Sequence, residues 1–80
     1  MENDRLLDII IKQVIVNNLG VHPNECIGEA FLKKHLAANN DSLEHIRNDL
    51  EKFLNIKLPQ FPIDADLKYQ DMVFLIKMSL

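Results

Sequence analysis

Very little in this chain breaks a helix. Gly20 and Gly28 are its only glycines, and Pro23, Pro59 and Pro62 its only prolines. Pro59 and Pro62 stand so close together that no regular helix runs through them. Aromatic residues are few and tryptophan is absent. Scarce glycine, proline and aromatics together argue for helices rather than a β-sandwich. The lone cysteine, Cys26, excludes an intramolecular disulfide framework and fits a reducing compartment. A formal charge of −3 leaves no basic footprint for nucleic acid. No apolar stretch approaches the length of a membrane span, so no membrane insertion is expected. Met1-Glu2-Asn3-Asp4 is acidic, the wrong start for a secretory signal. We therefore expect a soluble, cytoplasmic protein.

What is present is apolar content. It amounts to 48% of 80 residues, enough for the modest core of one small domain spanning residues 1–80. Ile11, Val14, Ile15 and Leu19 recur at helical spacing, and Leu7 and Ile10 extend the stripe. Ile9-Ile10-Ile11 and Val14-Ile15-Val16 are β-branched, which makes a strand the rival reading. Helix over about 4–18 is preferred, because Asn17-Asn18-Leu19-Gly20 reads as its stop, with Gly20 left-handed. The stretch 21–40 reads as a turn at His22-Pro23-Asn24-Glu25 and then a loop. Its Ala30, Phe31, Leu32 and Leu36 can reach the core.

A second helix is expected over about 42–54. Asp41 would be its N-cap, with Glu44 three residues on as the reciprocal partner. Leu43, Ile46, Leu50, Phe53 and Leu54 form its apolar stripe. A connector follows at Leu58-Pro59-Gln60-Phe61-Pro62, then a short turn around 64–67. A last helix over about 69–78 carries Tyr69, Met72, Val73 and Ile76 on one face. The expectation is an all-α bundle of three main helices plus one short one.

Chemistry-bearing clusters are sparse. Cys26, His22, His35 and His45 are zinc-ligand types, but no pair has a short metal-site spacing, so no metal is expected. Ser42, His45 and Glu44 make a poor triad, since no oxyanion-hole motif accompanies them. No catalytic residue is assigned and the chain is not read as an enzyme. The first helix is apolar nearly all round. Either loop residues such as Phe31 and Phe61 cover it, the preferred reading, or part of it is an interaction surface.

Four features in order carry a family resemblance. They are Leu19-Gly20-Val21, Asp41-Ser42-Leu43, Ile56-Lys57-Leu58-Pro59, and the apolar Tyr69, Met72, Val73 and Ile76. Together they resemble the acyl carrier protein family over almost the whole chain. The resemblance implies a right-handed bundle and a 4′-phosphopantetheine arm on Ser42, flanked by Asp41 and Leu43. A phosphopantetheinyl transferase would transfer the arm from coenzyme A. It would hold an acyl group as a thioester for acyl-processing enzymes of fatty acid, lipid, polyketide or nonribosomal peptide synthesis. Glu44, Asp49 and Glu51 would either face basic partner surfaces or form an ordinary solvated face whose charge Arg47 and Lys52 dilute. The carrier would be a monomer, with weak pairing through the first helix as an option.

Spacing leaves two frames open. Without gaps, Leu36-Ala37-Ala38-Asn39-Asn40 covers the family's Leu-Gly-Ala-Asp-Ser, and Asn40 takes the serine's place. That frame implies a degenerate carrier fold without the arm, acting as a helical interaction module. Putting Ser42 in the role needs a loop two residues longer and a helix two residues shorter. A loop tolerates the insertion cheaply. The helix deletion turns the stripe by about 200°. The Ser42 frame keeps Leu43, Ile46 and Leu50 at the family's spacings of three and four, and it is the frame preferred from sequence.

Overall fold

The computed structural model describes residues 2–61 and 66–80, with side chains from Arg5 onward. It is all-α. Helix α1 spans Glu2–Leu19, α2 Asn40–Leu54 and α3 Tyr69–Met78, with a short 3-10 turn at Pro23–Glu25. No strand forms among the described residues; Phe31 and Lys68 make one isolated antiparallel bridge.

The β-branched run of residues 9–16 is helical, because burial outweighs local propensity. Leu7, Ile11, Val14 and Ile15 all point into the core. The helix ends as expected: Gly20 takes φ +69°, and its N–H donates to the carbonyl of Val16 at 2.9 Å. Asn18 then ties α1 to α2, its amide donating to the Asp49 carboxylate at 2.9 Å. The core-facing stripe is covered, but the outer face is not. Leu6 and Ile9 remain 58% and 56% exposed. The preferred expectation that loops cover the outside of this helix is therefore corrected. Phe61 is buried and Phe31 half-buried, yet neither relieves Leu6 or Ile9.

The long loop between α1 and α2 contributes as much to the core as a helix would. Cys26, Ala30, Leu32, Leu36 and Ala38 are all buried. Its backbone is anchored across the molecule. Leu32 N–H donates to the Leu67 carbonyl and Tyr69 N–H to the Ala30 carbonyl, both at 2.8 Å. The Asp66 carboxylate accepts from the N–H groups of Lys33 and Lys34. Buried backbone groups thus find partners without a sheet.

Helix α2 buries Leu43, Ile46 and Leu50 as its stripe predicts. Phe53 departs from the expectation and is 69% exposed. It sits at the edge of the stripe, seven residues from Ile46, where it lines a groove beside α1 instead of entering the core. Beyond Asn55, which closes the helix at φ +53°, Leu58 and Phe61 are buried anchors of the connector. The short turn expected around 64–67 falls partly outside the described residues. Helix α3 buries Tyr69, Met72 and Ile76, with Val73 half-buried.

Candidate functional site

The first turn of α2 is built by a reciprocal cap. Asn39 is extended at φ −126° and ψ 179°, and its side-chain oxygen accepts from Ser42 N–H at 2.8 Å. The Ser42 hydroxyl answers twice. Its Oγ accepts from Asn39 N–H at 2.8 Å and donates to the Asn39 carbonyl at 3.0 Å. A serine hydroxyl has one proton to give, and the Asn39 carbonyl lies within hydrogen-bond reach of it.

This corrects the expected cap of Asp41 with Glu44. Both pairs have the three-residue spacing a capping box requires. Starting at Asn39 adds Asn40 and Asp41 to the helix and leaves Glu44 free for Arg47. Ser42 therefore stands at the third helical position rather than at the entrance, and is half-buried. Asp41 is exposed in the first turn, where its charge suits the helix dipole. Leu43 is buried below it. Asn40, at the first helical position, is exposed. Just upstream, Ala37 takes φ +60°, a left-handed conformation that ordinarily favours glycine.

The acidic residues of α2 are engaged within the molecule. Arg47 hydrogen-bonds the Glu44 carboxylate, lies 3.5 Å from that of Glu51 and donates to the Leu58 carbonyl. The bond from Arg47 holds the Glu44 carboxyl below the usual carboxylate range. Glu51 also accepts from Leu58 N–H at 2.8 Å. Asp49 accepts from Asn18. The three acids expected to face basic partners thus have partners on their own chain.

Depressions lined by the described residues include three that bear on the site. One of about 400 Å³ is lined by Glu25, Ile27, Glu29, Ala30, His35 and Leu36. One of about 300 Å³ lies around Asp8, Tyr69 and Lys77, and one of about 170 Å³ lies between Ile9, Ile10, Gln13, Val14 and Phe53. Ser42 lines none of the three. Among the described residues, no group of three or more His, Cys, Asp or Glu could hold a metal ion, and no helix is long and apolar enough to cross a membrane.

A polar cluster that sequence reasoning missed joins α1 to α3. Tyr69 Oη donates to Asp8 Oδ1 at 2.6 Å, and Lys12 Nζ lies 3.1 Å from Asp8 Oδ2. Burial works to raise the Asp8 carboxyl, but the bond from Tyr69 and the bond and charge of Lys12 together outweigh it and hold it low. Burial, then the bond to Asp8, pushes the Tyr69 phenol well above its ordinary range. Only the four-residue spacing of Asp8 and Lys12 hinted at any of this. Buried Cys26 likewise has its thiol pushed up by burial.

No family model matches the chain, and neither a curated protein nor a solved structure does.

Proposed function

We propose that this chain is a non-catalytic helical module of acyl-carrier build that works by docking another protein and carries no phosphopantetheine arm. The observation behind this reading is the state of Ser42. Its proton is donated inside the helix cap, and its oxygen accepts there as well. Attack on a phosphate would displace these bonds at a cost of about 1 kcal/mol, which slows reaction at Ser42 without abolishing it. The backbone also favours the gap-free frame. Ala37 holds φ +60° where that frame puts the family's glycine, and the exposed Asn40 opens the helix where it puts the serine. An apolar groove between α1 and α2 supplies a docking surface that does not involve Ser42.

One observation favours a second reading, a carrier armed at Ser42. The residue is only half-buried, lies in the first turn of a helix and keeps Asp41 and Leu43 beside it. In that reading a transferase moves 4′-phosphopantetheine from coenzyme A to Ser42, and acyl-transferring enzymes use the loaded arm.

Intact mass after incubation with coenzyme A and a broad-specificity phosphopantetheinyl transferase separates the two. The armless reading expects no mass gain on the folded wild type and a gain of one phosphopantetheine on Asn40→Ser. A gain on the wild type that disappears in Ser42→Ala would establish the carrier instead.

A further inference from the structure

The turn from Phe31 to Leu36 is closed around one histidine. The Phe31 N–H donates to His35 Nδ1 at 2.9 Å. The Phe31 carbonyl accepts from His35 N–H at 2.9 Å and from Leu36 N–H at 3.2 Å. The two side-chain rings also meet, their centroids 5.7 Å apart. Of these bonds, the one to Nδ1 alone depends on the charge of the ring. A neutral imidazole with its proton on Nε2 offers Nδ1 as an acceptor, whereas the imidazolium has two donors and no acceptor. Protonation therefore sets one N–H against another.

Three segments supply charge near this ring. Its own carries Lys33 and Lys34, whose backbone N–H groups donate to the Asp66 carboxylate. Lys68, just ahead of α3, places its ammonium 5.5 Å from the centre of the Phe31 ring on which His35 packs. The turn before it brings Glu25 and Glu29, which line with His35 the depression of about 400 Å³. We propose that His35 is a pH-operated latch on the wall of this depression. The neutral ring is held against Phe31. The protonated ring leaves the Phe31 N–H and turns away from Lys68, toward the carboxylates of Glu25 and Glu29. The turn itself stays closed, because Leu32 and Leu36 are buried and the bonds to the Phe31 carbonyl do not involve the ring. What changes is the charge that the depression presents to a ligand.

A nuclear magnetic resonance titration of the unmodified chain from about pH 8 to about pH 5 tests this, bracketing the ordinary imidazole value of about 6.5. At the upper end, the side-chain nitrogen shifts should show His35 protonated on Nε2 and bare on Nδ1. As the ring titrates, the Phe31 amide proton should shift upfield with the same midpoint. Contacts between the two rings should give way to contacts with Glu29, while the Leu32 and Leu36 amides stay protected from exchange. In His35→Asn, whose side-chain oxygen accepts without titrating, the Phe31 amide should stop responding. His22 gives an internal comparison: its Nδ1 accepts from Asn24 N–H at 3.4 Å, so that amide should respond less. A Phe31 amide that does not move while His35 titrates overturns the latch. An unchanged response in His35→Asn overturns it by placing the titrating group elsewhere, and ring contacts that persist at the lower end overturn the turn toward Glu29. Neither Ser42 nor coenzyme A enters the measurement, so its outcome is separate from that of the mass experiment.

Discussion

The two long helices meet the core by different rules. In α2, polar residues mark the outside, and the stripe of Leu43, Ile46 and Leu50 is fully buried. In α1, apolar residues occupy every side, and hydrophobicity alone does not say which are structural. Neighbouring isoleucines have opposite fates: Ile11 is wholly buried, while Ile9, two residues earlier, is 56% exposed. The difference teaches that α1 carries more apolar surface than a small bundle can bury. What remains outside is available for association.

Paired truncations break or sharpen that contrast most strongly. Ile11→Ala removes packed methyl groups from a closed site and should cost about 2–5 kcal/mol. Ile9→Ala, at an exposed position, should stay within about 0.5 kcal/mol. Urea denaturation of dilute protein reads both. Equal losses would mean that the outer face of α1 is covered after all.

This is also where the sequence stops being legible. Helical periodicity sorted α2 and α3 because their polar residues break the apolar pattern; Tyr69, Met72 and Ile76 are buried as their spacing predicts. It placed Gly20 correctly, since glycine after a helical run has a strong backbone reason to be there. It erred on Phe53, because spacing gives a direction on the helix and not what stands opposite. It named Asp41 as cap and missed Asn39, whose reciprocal pairing with Ser42 has the same three-residue spacing. Nothing local could reveal the bond between Tyr69 and Asp8, whose partners are brought together by tertiary packing.

That bond ties α1 to α3 and is the next contrast to test. Tyr69→Phe keeps the ring packing and removes the donor to a partly exposed carboxylate, which should cost about 1–2 kcal/mol in urea denaturation. The pH dependence follows from the depressed pKa of Asp8. Its contribution is present above the ordinary carboxylate value of about 4 and is lost as pH falls through the lower folded value. The stability of Asp8→Asn should therefore fall less than that of the wild type between about pH 5 and about pH 2. Equal slopes would show that the carboxylate gains nothing from Tyr69 and Lys12.

The smallest expected effect concerns the two helix boundaries. Gly20 leaves α1 at φ +69°, and Ala37 approaches α2 at φ +60°. The backbone geometry is nearly the same, but one residue is free to adopt it and the other is strained by its Cβ. Gly20 has open space where a Cβ would go, so Gly20→Ala meets backbone strain without a clash and should cost about 1 kcal/mol. Ala37→Gly relieves the same strain but gives the unfolded chain more freedom. The net should be a gain of about 0.5 kcal/mol, seen as a small rise in thermal midpoint. If Ala37→Gly instead destabilises the fold, Ala37 is not left-handed in solution. The gap-free frame through Asn40 would then lose its backbone support, and the balance would move toward an arm on Ser42.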